Sequence, residues 1–250
     1  MATERLFLPN VDVGRVDKSG KWKSARSDWF IADPWEKLIA KYERGTTFAY
    51  DHYVFNGKHP QRNRITDADI ATVNALMNAN AGATLDFLNR LRAAQDDLEP
   101  LLAQVPLDAD LLGPHGVATA AKLLSTLIEK TVRGTQLAVA SKLLSMKRPH
   151  LVPMLDTVVQ ACLGTSEIDL ALQRFADLVS SGDNHRLLEA LSGRVAQRYG
   201  IPVGRVRVLD QLIWFDWNVV EADEPGKWVV RGFAEWGYTP GRDDGIRRGP

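Results

Sequence analysis

Residues 132–164 read VRGTQLAVASKLLSMKRPHLVPMLDTVVQACLG, and this stretch decides the fold. Gly134 permits a tight turn. Leu137, Ala140, Leu144 and Met146 recur at helical spacing, which predicts a helix over 135–147 with Lys142 and Lys147 on its solvent side. Pro149 and Pro153 keep the following linker out of the helical conformation and fix its direction. Asp156 stands immediately before the apolar run Val158, Val159, Cys162 and Leu163. That is an N-cap position, where a carboxylate accepts free backbone N–H groups and meets the positive end of the helix dipole. The unit is a turn, a helix, a stiff extended linker and a second helix.

Helical periodicity continues on both sides. Residues 35–43 carry apolar side chains at i, i+3 and i+4. Thr66 is placed as the N-cap of a helix over 67–78, with Asp67 and Asp69 in its first turn and Ile70, Val73, Leu76 and Met77 as its buried stripe. A helix over 83–98 is expected to end or kink at Pro100. Further helices are expected near 117–130, 167–180 and 185–199, separated by Gly, Pro and Ser clusters. Residues 203–217 fit a helix or a buried strand; the helix is preferred. A short hairpin is expected around 228–233, and the polar 240–250 segment reads as a mobile tail.

All seven tryptophans lie near the ends, at Trp22, Trp29, Trp35, Trp214, Trp217, Trp228 and Trp236, and between residues 56 and 198 the aromatic side chains are Phe87 and Phe175. The middle is therefore expected to pack through Leu, Val, Ala and Ile, with the ends capping it. The fold class expected is mainly α: a compact multi-helix bundle with Trp-rich irregular or short-β terminal segments. Residues 1–44 would pack on a helical core of 45–217, followed by a C-terminal extension of 218–250, all as one compact unit.

Composition narrows the function. The 250 residues carry 31 Lys and Arg against 31 Asp and Glu, and hydrophobic residues make up 45%. This is the balance of a folded globular chain and excludes a disordered one. No apolar run reaches membrane-spanning length, and the first ten residues lack a signal-peptide core. The single cysteine, Cys162, makes no internal disulfide. A cytoplasmic protein without membrane contact is the expectation. His52, His59, His115, His150 and His185 show no metal-ligand spacing, so no metal or cofactor is implied.

The charge is uneven, however. Residues 121–150 hold Lys122, Lys130, Arg133, Lys142, Lys147 and Arg148 against Glu129, whereas 66–110 hold eight acidic residues against Arg90 and Arg92. The basic stretch reads as a small phosphate-binding surface or as a partner for an acidic helix. Tyr50, His52 and Tyr53 in the run Tyr50-Asp51-His52-Tyr53 are candidates to line a pocket; the alternative is a surface turn with half-buried tyrosines.

The pattern Lys142-Leu143-Leu144, Lys147-Arg148-Pro149, Pro153, Asp156-Thr157-Val158-Val159 resembles an uncharacterised actinobacterial family, a domain of unknown function. The likeness extends over about 45–217 through Ile65-Thr66-Asp67-Ala68-Asp69 and Val208-Leu209-Asp210. The same segment is distantly similar to the helix-hairpin-helix DNA glycosylases. That similarity implies a hairpin ending at Gly134-Thr135-Gln136 that binds DNA phosphate through backbone N–H groups. It also implies a Pro-containing linker and a catalytic aspartate at Asp156. The hairpin's usual Leu-Pro-Gly-Val-Gly-like turn is absent, and Gln136 stands where glycosylases with lyase activity carry lysine.

The resemblance implies a monofunctional glycosylase that hydrolyses the N-glycosidic bond of a flipped, modified base. Double-stranded DNA would be held at Gly134, Thr135, Gln136, Lys142, Lys147 and Arg148. The competing expectation is a non-catalytic helical module that binds DNA or a protein partner.

Overall fold

The computed structural model describes residues 4–8, 14–16, 22–24, 30–43, 45–57, 61–77, 85–131, 137–221 and 228–230. Four short strands, β1 (Arg5–Phe7), β2 (Gly14–Val16), β3 (Trp22–Ser24) and β4 (Phe30–Ala32), lead into α1 (Pro34–Glu43). Then come α2 (Thr46–Asp51), a π-helical turn (His52–Asn56), α3 (Asp67–Met77), α4 (Leu85–Gln104) and α5 (Gly116–Thr131). The chain continues through α6 (Leu137–Ser145), α7 (Thr157–Leu163), α8 (Ile168–Ser180), α9 (Gly182–Tyr199) and α10 (Arg205–Asn218), and the described part closes with β5 (Val219–Glu221) and β6 (Trp228–Val230). The molecule is mainly helical and compact, as expected. No described helix is long and apolar enough to cross a membrane.

Local chemistry explains the element ends. The amide and hydroxyl of Thr66 donate to Asp69 Oδ2 at 2.7 and 2.8 Å, and the Asp69 amide donates back to Thr66 Oγ1 at 3.3 Å. This reciprocal capping box starts α3. Gly164 and Gly200 end α7 and α9 with φ of 66° and 69°, the left-handed conformation that favours glycine. Of residues 203–217, those from 205 onward are helical, within α10.

Two expectations change. Helix α4 does not end at Pro100 but runs through it to Gln104. Asp96 and Pro100 are exposed, while Leu91, Ala94, Leu98 and Leu102 hold the other side of the helix in the core. The run Tyr50-Asp51-His52-Tyr53 is not a surface turn: it ends α2 and opens the π-helical turn, with Tyr50 and Asp51 fully buried.

Among the described residues the strands form two-stranded antiparallel sheets, pairing β1 with β4, β2 with β3 and β5 with β6. The edge of β1 is tied to α9, where the Phe7 amide donates to Asn184 Oδ1 at 2.8 Å and Asn184 Nδ2 donates to the Phe7 carbonyl at 2.7 Å. Helix α1 packs on α10: Lys37 pairs with Asp216, and Lys41 Nζ sits 3.1 Å from the centroid of the Trp214 ring. The first and last helices of the described residues thus meet. The mobile tail expected at 240–250 lies outside the described residues.

The largest departure concerns Lys147 and Arg148, expected as exposed phosphate contacts. Both are 1% exposed. Lys147 Nζ pairs with Asp69 Oδ2 at 2.5 Å and donates to the Gln61 carbonyl at 3.2 Å. Arg148 spends every guanidinium nitrogen on the protein. Nε donates to the Val105 carbonyl, Nη1 to the carbonyls of Arg62 and Lys147, and Nη2 to Asn63 Oδ1 and the Leu102 carbonyl. Burial, with Arg62 adding to it, pushes Arg148 down to about 10. The reason is local: α6 stops at Ser145, so its last turn and the start of the linker enter the core, and the two cations hold the irregular 61–66 segment against them.

Lys147→Ala, which strands a buried carboxylate, is expected to lose about 3–5 kcal/mol of stability. Arg64→Ala, at the exposed pair with Glu99, should lose no more than about 1 kcal/mol. Urea denaturation of both variants measures the contrast.

Candidate functional site

The linker expected between the two prolines is buried from Leu151 to Leu155. Proline has no amide hydrogen, so between Pro153 and Asp156 the chain offers only the amides of Met154 and Leu155. Each is taken by a side chain from a different helix. The Met154 amide donates to Asp210 Oδ2 on α10 at 3.3 Å, and the Leu155 amide donates to Ser141 Oγ on α6 at 2.9 Å. Gln160 Nε2 closes the cage on the Leu155 carbonyl at 2.6 Å.

Asp156 follows, half-buried, in the N-cap position expected of it. Its Oδ1 accepts from the amides of Val158 and Val159, each at 3.0 Å. Among the described residues both side-chain bonds fall on Oδ1, so one carboxylate oxygen is anchored and Oδ2 takes part in no hydrogen bond.

Behind the linker lies a buried charged cluster that sequence reasoning missed. Arg207 Nε donates to Asp51 Oδ1 at 2.8 Å, and Nη1 donates to Asp210 Oδ1 at 2.7 Å and lies 3.0 Å from Met154 Sδ. The guanidinium stands 5.1 Å from the centroid of the Tyr50 ring. Asp51 Oδ2 accepts from Tyr42 Oη at 2.7 Å and from Gln211 Nε2. Tyr50 Oη meets Ser145 Oγ at 3.1 Å. The signal for this cluster was present: Arg207, Asp210 and Gln211 interrupt an otherwise apolar helical run from Val206 to Ile213.

Its electrostatics are lopsided, with two carboxylates against one guanidinium. Burial pushes Asp210 up to about 7; Asp51 and Asp156 push the same way, while Arg207 and the Met154 amide oppose them. Burial works against the Arg207 charge, but Asp210 and Asp51 outweigh it and hold the guanidinium above its ordinary value. Burial likewise raises Tyr42 and Tyr50 well above the usual phenol range.

The remaining candidates scatter. Gly134, Thr135 and Gln136 lie outside the described residues. Lys142 is half-buried, with Nζ donating to the Met77 carbonyl at 3.1 Å. Lys147 and Arg148 are interior, as above. Tyr50 belongs to the buried cluster, Tyr53 is half-buried, and His52 is exposed with its ring stacked on Phe48 at 5.8 Å; the three do not line one pocket. His150 is half-buried against Phe55, and burial lowers its imidazole below the ordinary value. A separate surface groove of about 970 Å³ lies between the 111–118 turn and α8, lined in part by Leu112, Val117, Glu167, Asp169, Leu170 and Asp177. Its rim is acidic, and Asp156 is not part of it.

A family model described as a family of unknown function (DUF6308) matches residues 35–216. No curated protein and no solved structure matches the chain.

Two outcomes are expected. Asp156→Ala removes the cap of α7 and should cost about 1 kcal/mol, while Asp156→Asn, which keeps an acceptor, should cost a few tenths; thermal unfolding compares them. Asp210 is raised from 3.8 to about 7, so the fold favours its protonated form. That contribution is fully present below pH 3.8 and is lost as the pH rises through 7. Asn mimics the protonated acid, so wild type should lose Tm relative to Asp210→Asn between pH 4 and 8. A Tm difference constant over that range would contradict the assignment.

Proposed function

The chain belongs to the DUF6308 family of unknown function, and from its geometry we propose that it is a DNA glycosylase-like hydrolase that releases a modified base using Asp156. The reading is carried by one observation. Asp156 tops a caged linker with Oδ1 fixed by two amides, and among the described residues its second oxygen takes part in no hydrogen bond.

The surroundings support it. Helices α5 and α6 pack together across a five-residue connection that holds Gly134, the spacing of a helix-hairpin-helix unit. Linker, capping aspartate and α7 follow in the order that the distant similarity implies. In this reading a nucleotide is flipped out of the duplex toward Asp156. The C1′–N bond breaks with its electron pair leaving on the base nitrogen. The carboxylate stabilises the positive charge at the sugar. A water oxygen then bonds C1′, and its proton passes through Asp156 to the departing base. Gln136 leaves no amine at that position for a Schiff base, so hydrolysis is the expected outcome.

The phosphate contacts must be fewer than the sequence suggests. With Lys147 and Arg148 inside the core, they fall to backbone N–H groups around Gly134 and to Lys142. Affinity for undamaged duplex should therefore be weak and lost at modest salt.

A second reading, a helical module that binds a protein partner without catalysis, is favoured by the acidic groove along α8, which suits no phosphate.

The test is incubation with duplexes carrying damaged bases, followed by alkali to reveal abasic sites. Wild type should release a base and Asp156→Asn should fall by at least about a hundredfold. Absence of both base release and salt-sensitive duplex binding rejects the nucleic-acid reading and leaves the interaction module.

A further inference from the structure

We propose that Asp210, with Arg207 behind it, is a positioning residue for Asp156, and that its state of charge is transmitted to the Asp156 carboxylate through the Pro153–Asp156 linker. The proposal rests on the reading of Asp156 as the reacting group, but its geometry stands without it.

The argument begins with what the cluster does not do well. Three charged side chains, those of Asp51, Arg207 and Asp210, are buried together. Among the described residues Arg207 Nη2 and Gln211 Oε1 find no hydrogen-bond partner. Buried ion pairs are commonly no more stabilising than well-packed apolar residues, and unpartnered polar atoms make the balance worse. As a device for stability alone the cluster is poor.

Its contacts serve position instead. Asp210 grips two things at once: Oδ1 takes Arg207, and Oδ2 takes the Met154 amide, two residues before Asp156. Arg207 Nη1 also touches Met154 Sδ, so the same residue is held by its backbone and by its side chain. Ser141 holds the next amide from the opposite helix. The direction of the linker, and with it the placement of Asp156, is set by these three groups.

The cluster is also anchored at its far end. Asp51, tied to Tyr42 and Gln211, fixes Arg207 through Nε. Arg207 cannot follow Asp210 if that carboxyl shifts. A change of charge at Asp210 is therefore expressed mainly on the linker side. The charged and titratable groups that face Asp210 are Arg207 on its own helix, Asp51 and Tyr50 on α2, and Asp156 before α7. Asp156 is itself one of the charges that push the Asp210 carboxyl up, so the two carboxylates sense each other through space as well.

The experiment uses the full chain labelled with carboxyl-13C aspartate, with resonances assigned through Asp156→Asn and Asp210→Asn. In wild type the Asp156 resonance should move near pH 7 as Asp210 changes charge. In Asp210→Asn that movement should vanish, and in Asp210→Glu it should return at a shifted pH. A wild-type Asp156 resonance that does not move near pH 7 overturns the proposal, and that measurement needs no variant to fold. So does an Asp156 curve that superimposes in wild type and Asp210→Asn.

Base release gives the second readout. Asp210→Ala, which leaves the Met154 amide without its acceptor, should lower kcat on the order of a hundredfold with little change in KM. Asp210→Asn should remove the limb of the pH profile near 7. If Asp156 follows Asp210 by NMR but no duplex loses a base, the positioning stands and the glycosylase reading falls. If base release occurs but is indifferent to Asp210, the reverse holds.

Discussion

Irregular backbone cannot enter a protein core unless its N–H and C=O groups find partners. This constraint shapes the molecule more than any helix contact. Two non-helical segments are drawn inward, around 61–66 and across 149–155, and neither has a strand to pair with. Long polar side chains do the pairing. Arg148 takes the carbonyls of Arg62, Leu102, Val105 and Lys147. Lys147 takes that of Gln61, and Gln95 takes both the amide and the carbonyl of Ile65. Asp210 and Ser141 serve the linker. The buried charges are the hydrogen-bonding complement of the buried linker, of the 61–66 segment and of the end of α4.

The same constraint ties the architecture to the candidate chemistry. A linker held only by apolar contacts would slide. One held by a carboxylate, a hydroxyl and an amide side chain has a single register, and Asp156 inherits it. The short helix α7 adds the last restraint, since its first amides fix one carboxylate oxygen and leave the other free. Positioning of this kind is what an oxocarbenium-stabilising group requires, although a helix cap alone would ask for nothing beyond the two amides.

Legibility in the sequence followed the range of the interactions. The cap at Asp156, the box at Thr66 and Asp69, and the end of α7 at Gly164 are local, and local signals disclosed them. Helix α10 was ambiguous because it is buried all round from Val206 to Ile213, so no amphipathic period marks it. Lys147 and Arg148 were misread because most of their partners lie 43 to 86 residues away in the chain. A basic pair before a proline looks the same whether it meets phosphate or carbonyl. Asp51 was passed over as a surface residue for a similar reason: its partner Arg207 is 156 residues distant. Pro100 misled in the other direction, because the buried Leu98 and Leu102 hold the helix in the core on both sides of it.

The saturation of Arg148 changes what its motif can be used for. A guanidinium whose donors are divided among four backbone carbonyls and an asparagine is specified by the shape of the fold and not by any ligand. The triplet Lys147-Arg148-Pro149 is therefore a marker of architecture. Chains gathered by that triplet are expected to share the caged linker whatever they do.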